Sequence, residues 1–135
     1  MLSNNNIPKI MGILNCTPDS FYQNTLTNKV DNILEHFKYA DIIDIGFEST
    51  RPFSKPLRYN TELLRLKNFL KSITIKNKLL SIDTYKPEIA EYALNNGFNI
   101  INDIKGGSDT RMLELSCLYD VPIVLMHMQG TPEDM

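Results

Sequence analysis

Short apolar, β-branched runs alternate along the chain with longer stretches of helical period: KIMGILNCT (9–17), ADIIDIGF (40–47), KLLSIDTY (78–85), FNIINDIK (98–105) and VPIVLMHM (121–128). Their length and residue types mark them as strands. Between them apolar residues return every three or four positions, the repeat of one helix face. Val30, Ile33, Leu34 and Phe37 do so behind Thr27-Asn28, and Leu63, Leu66, Leu70 and Ile73 behind Asn60-Thr61. Pro87 opens a third helix with Ile89, Ala90, Ala93 and Leu94 inward, and Gly97 closes it. Ser108 is the expected cap of a fourth, with Met112, Leu113 and Cys117 on one side.

The order βαβαβαβαβ, with strands apolar on both faces, predicts a parallel sheet covered by helices through right-handed crossovers. A doubly wound sheet often carries GxGxxG or a P-loop, and this chain has neither. In a (β/α)8 barrel the chemistry sits at the C-terminal strand ends. Here those ends are Asn15-Cys16-Thr17, Gly46 to Arg51, Asp83-Thr84, Asn102-Asp103 and Met126-His127-Met128. The expected fold is therefore α/β, an incomplete (β/α)8 TIM barrel of about five parallel strands with four intervening helices. Thr131, Pro132, Glu133 and Asp134 announce a further helix just before Met135. Residues 1–135 thus read as the N-terminal portion of a single barrel domain whose C-terminal strands are missing, with unpaired edges on the first and fifth strands and self-association as a consequence.

Composition narrows the partners. The 135 residues are 42% hydrophobic and 22% charged, ordinary for one globular domain. A net charge of -2 offers no basic field for nucleic acid or anionic membrane. Cys16 and Cys117 fit no zinc spacing, and Cys117 is expected in the core. The start MLSNNNIPKIMGIL lacks the n-region and h-region of a signal peptide, and no apolar run reaches a membrane span, so a cytoplasmic location is expected.

Alternate strand residues share a face. Asn15 shares one with Met11 and Ile13, Asp83 with Ser81, Asn102 with Ile100 and Ile104, and Met126 with Val124 and Met128. If these sides all face the barrel interior, a carboxylate, two amides and a thioether converge at its mouth. Such a set satisfies a flat heterocycle, since Asp accepts two N–H bonds and Asn both donates and accepts. Duller roles stand beside this. Asp83 caps the helix near Pro87, Asn102-Asp103 forms a turn, Asn15 braces the turn at Thr17 to Ser20, and Met126 is core. His127 has the opposite parity and reads as structural, and His36 as solvated. Above the strands, TPDSF (17–21) supplies a carboxylate and an aromatic, and FESTRP (47–52) two hydroxyls and an arginine. Arg51 either grips an anion bidentately or pairs with Glu48 at the surface.

In series, MGILNCTPDSF, DIIDIGFESTRP, SIDTYKPEIA, NIINDI and LMHMQGTPEDM resemble the dihydropteroate synthase family, whose second such motif reads DIIDIGGESTRP. The resemblance implies a transferase of folate synthesis. Its substrates are a pterin diphosphate, (7,8-dihydropterin-6-yl)methyl diphosphate, and 4-aminobenzoate, and Mg2+ is required. By the same resemblance Asn15 is the metal- and diphosphate-linked asparagine, Asp83 and Asn102 meet the pterin edge, and Ile104 and Met126 contact the ring. Phe21, Thr50, Arg51 and Pro52 match the loops that close over aminobenzoate, and Asp83, Asn102 and Arg51 are the expected catalytic set. Two departures stand out: SFYQNT replaces the family's SFSDGG, and Phe47 replaces a usual glycine. The family's later aspartate, serine-arginine-lysine and arginine-x-histidine motifs have no counterpart here, so the separate chain is expected to be inactive unless a C-terminal half joins it. A non-catalytic remnant and a pterin-dependent methyltransferase module are the alternatives.

Overall fold

The computed structural model describes residues 7–16, 35–48 and 57–127. Phe21, Thr50, Arg51, Pro52 and Met128, most of the helix expected at Val30, Ile33 and Leu34, and the helix start at Thr131 lie outside the described residues. The elements are β1 (Met11–Asn15), β2 (Ile42–Gly46), α1 (Tyr59–Ser72), β3 (Leu79–Asp83), α2 (Pro87–Leu94), β4 (Ile100–Asp103), α3 (Thr110–Tyr119) and β5 (Ile123–Leu125). All five strands fall within the apolar runs.

They form one parallel sheet in the order β1-β2-β3-β4-β5. Each strand lies beside its sequence neighbour, so right-handed crossovers place α1, α2 and α3 on the same side. A doubly wound sheet would need a reversal of strand order, and none occurs. The architecture is that of an incomplete (β/α)8 barrel.

On the helix side, Ile43, Ile45, Ile82 and Ile101 are fully buried against Leu66 and Phe69 of α1, Ile89, Ala90 and Ala93 of α2, and Met112 of α3. Each such isoleucine contributes roughly 1.5–3 kcal/mol relative to leaving it in water. Phe47 joins this core rather than the loop above it. Its ring meets Phe69 edge-on with centroids 5.6 Å apart, which places the bulk of the unusual side chain among the buried residues on the helix side.

The helix ends depart from expectation in detail. α1 starts at Tyr59, with Arg58 in the cap position, rather than behind Asn60-Thr61. α2 follows the pattern, with Pro87 in its first turn and Gly97 at φ 95 beyond its end. α3 is capped by Asp109, whose carboxylate accepts from the Arg111 amide, and not by Ser108, whose own amide closes a turn onto the Lys105 carbonyl. Its buried stripe is Met112 and Leu115, while Leu113 and Cys117 are exposed. α3 packs against α2 on one side, and its flank with Leu113, Cys117 and Leu118 is exposed. Cys16, by contrast, is buried, and burial pushes its thiol up to about 12, leaving it neutral. No described helix is long and apolar enough to cross a membrane.

Candidate functional site

Register decides what meets at the strand ends. Asn15 pairs in position with Gly46, Gly46 with Asp83, Asp83 with Asn102, and Asn102 with Val124. Asn15, Asp83 and Asn102 therefore stand in one level row on the face away from the helices, as parity predicts. Gly46 is the gap in the row. A Cβ there would lie 2.9 Å from Asp83 Oδ2 and 3.4 Å from Asn15 Oδ1, so these two oxygens lean toward each other over bare backbone.

The row beneath is Ile13, Asp44, Ser81 and Ile100. Asp44 is 3% exposed, and Asn102 Nδ2 donates to its Oδ2 at 2.9 Å. Asp44 Oδ1, Ser81 Oγ and Asp83 Oδ1 are buried without a hydrogen-bond partner. Burial, and then the charges of Asp44, Glu62, Glu48 and Asp103, push the Asp83 carboxyl from 3.8 up to about 7. Burial also raises Asp44. Unpaired buried oxygens of this kind are costly until something donates to them.

Of the duller roles, helix capping does not hold for Asp83: Lys86 occupies the N-cap position of α2, with no side-chain cap. The turn belongs to Asp103, whose two oxygens accept from the amides of Lys105 and Gly107 at 2.8 Å each, while Asn102 points to Asp44. Ile104 is buried, whereas Met126 is 39% exposed and so is not the core residue its pattern first indicates. His36 and His127 are both exposed.

Two features escape a reading of the sequence alone. Asp44 is one: the only charged residue inside an otherwise apolar β2, it has the parity of Asp83 and Asn102, and that signal was available. The other is a buried ionic clasp on the opposite face. Lys86 Nζ donates to Glu62 Oε2 at 2.6 Å and to Glu48 Oε2, while Glu48 Oε1 accepts from the Leu57 amide at 3.0 Å and from the Tyr85 hydroxyl at 3.1 Å. Thr84 Oγ1 donates to Glu62 Oε1 at 2.8 Å. Burial works against the charge on Lys86, but its bonds to Glu48 and Glu62 outweigh it and push the ammonium up to about 12. Glu48 is thus held inside the protein, 9% exposed, and the alternatives for Arg51 lie outside the described residues. Because Glu48 holds the Leu57 amide, the clasp also ties together the two ends of the 49–56 segment.

A family model described as pterin binding enzyme matches residues 11–135. The chain is 45% identical over 127 residues to a dihydropteroate synthase of Streptococcus pyogenes, covering 89% of this chain and 48% of the relative. The solved dihydropteroate synthase of Xanthomonas albilineans with 4-aminobenzoic acid is 36% identical, with a TM-score of 0.80 over 93% of this chain and 48% of the other. That of Burkholderia cenocepacia complexed with 7,8-dihydropteroate is 34% identical, with a TM-score of 0.76 over 94% and 44%. The chain spans just under half the length of these relatives.

Proposed function

Because the chain belongs to the family of pterin binding enzymes, we propose that it forms the pterin-facing part of a dihydropteroate synthase. The reaction joins (7,8-dihydropterin-6-yl)methyl diphosphate to 4-aminobenzoate: the methylene C–O bond breaks, diphosphate leaves with the electron pair, the aryl amine takes the carbon and then loses a proton. The observation that supports this reading is the level row of Asn15, Asp83 and Asn102 over the open backbone of Gly46. Asp83, once ionised, accepts two N–H bonds from a pterin edge, and Asn102 adds a directed amide beside it. A negative group held at the ring also favours positive charge on the pterin as the C–O bond breaks. Ile104 and Met126 are the proposed apolar contacts to the ring, and Phe21, Thr50, Arg51 and Pro52 the proposed closure over aminobenzoate.

The donor set fits Mg2+ held in part by substrate. Asn15 offers an amide oxygen next to Asp83 Oδ2, both hard ligands, and among the described residues no group of three or more His, Cys, Asp or Glu side chains could hold a metal by themselves. Bound through Asn15, the ion would supply positive charge for the departing diphosphate. The inner rows hold carboxylates, amides and a hydroxyl, so the remaining cationic groups for diphosphate must come from outside them. We therefore assign turnover to an assembly of this chain with the C-terminal part of such a barrel, and the chain alone to pterin binding in the cytoplasm. Ile13 and Val124, 67% and 43% exposed on the open face at the two sheet edges, support the existence of such a cover.

The test is titration of the chain with a pterin, followed by ring fluorescence. Saturable binding that disappears in Asp83→Ala supports the assignment, and unchanged binding in a folded Asp83→Ala removes Asp83 from it. Dihydropteroate formation is expected only when the C-terminal half of a related synthase is added.

A further inference from the structure

An asparagine amide presents a donor on one side and an acceptor on the other, and a ligand edge reads which is which. At Asn102 the choice is made from below. Asp44 stands one row lower on β2, 3% exposed, and receives the Asn102 Nδ2 donor at 2.9 Å. An ionised carboxylate only accepts, so an amide turned the other way would set its oxygen against a buried carboxylate oxygen, with no proton between them. The neighbouring side chains offer little to compensate such a flip. Asp83, level with Asn102, is another acceptor with a buried oxygen that lacks a partner.

We propose that Asp44 is a positioning residue that fixes which way the Asn102 amide faces, and thereby sets the order of donors and acceptors that the site shows to a pteridine edge. Asp44 itself does not touch the ligand: it lies a row below, and its free oxygen is enclosed. The inference rests on the pterin-binding reading of the row but adds a specificity determinant to it. The site then distinguishes pteridines that carry the same ring and differ only in donor and acceptor order. Pterin, with an acceptor at ring position one and a donor amine at position two, is a natural counterpart to lumazine, where the two are exchanged.

Asp44→Asn tests this with almost no change of shape. The amide introduced there either accepts from Asn102 or donates to it, so the lock is lost while the cavity stays filled. The expected result is that the wild-type chain prefers pterin to lumazine by roughly tenfold to a hundredfold, the range one mismatched buried hydrogen bond supports, and that Asp44→Asn lowers this ratio several-fold, leaving only the preference that Asp83 itself supplies. Asp44→Leu, which also removes the acceptor, should weaken pterin binding while far-UV circular dichroism stays unchanged. A ratio unaltered in a folded Asp44→Asn overturns the proposal. Nuclear magnetic resonance of the Asn102 side-chain amide provides a readout free of ligand: one amide proton should be protected from exchange in the wild type and lose that protection in Asp44→Leu. Should the wild type bind neither pteridine, it is the proposed function that falls, and the amide signal alone then decides the orienting role of Asp44. Protection equal in wild type and Asp44→Leu overturns that role too.

Discussion

Two pairs of carboxylates are buried on opposite faces of the same sheet, and their surroundings differ in kind. Glu48 and Glu62, on the helix side, share the Lys86 ammonium and receive further bonds from Thr84, Tyr85 and the Leu57 amide. Asp44 and Asp83, on the open side, each keep a buried oxygen without a partner, while Asn102 donates its side-chain amide to Asp44. A compensated buried pair holds elements in place, because removing one member strands the other. An uncompensated pair is a cost that a ligand rich in N–H donors relieves, which is why perturbed carboxyls gather where binding happens. The charges of the clasp also reach the site, since Glu62 and Glu48 help to raise Asp83.

The contrast can be broken at its strongest point first. Lys86→Met leaves two buried carboxylates without their cation and should lower stability by about 3–5 kcal/mol, read as a shift of the urea midpoint at neutral pH. An unmoved midpoint would place the clasp among contacts that hold nothing.

Asp83→Asn should act in the opposite direction. The folded carboxyl titrates at about 7 against an ordinary 3.8, so the folded state binds its proton more tightly than the unfolded chain. The stability this group contributes is complete below about 4 and declines as pH rises through about 7. At pH 8 the asparagine variant should therefore be more stable by roughly 2–4 kcal/mol, and at pH 3 equal to the wild type. Unfolding curves at the two pH values check the sign, and the same variant should lose pterin.

Thr84→Val tests one strand of the clasp. The hydroxyl donates to Glu62 and accepts from the Lys86 amide at 3.3 Å, so its loss should cost about 1–2 kcal/mol. The smallest effect is expected at Arg111, which bridges Glu88 and Asp109 on the surface. Arg111→Ala should leave the thermal midpoint within error, as exposed ion pairs contribute little. A large drop there would erase the distinction between compensated burial and surface pairing.

How much of this was legible beforehand depended on the range of the interaction. The five strands and the helix from Pro87 were readable because period and end signals are local. The row of Asn15, Asp83 and Asn102 was readable because parity is local and the strands end at matching positions. Ser108 failed as a cap because the helix begins one residue later and Asp109 takes the cap position, and Cys117 failed as core because its side of α3 is exposed. The Glu48–Lys86–Glu62 clasp gave no local sign at all: its members lie 14 to 38 residues apart, one after β2, one in α1 and one ahead of α2.

The sequence by itself determined a parallel α/β sheet with polar strand tips, since hydrophobic period and strand parity are properties of neighbours along the chain. Only the tertiary structure decided that the strands follow one another without reversal, that Asp44 sits under Asn102, and that Lys86 joins two distant glutamates. Those outcomes depend on register and on which buried charges find a partner, and both are settled when elements far apart in sequence pack together.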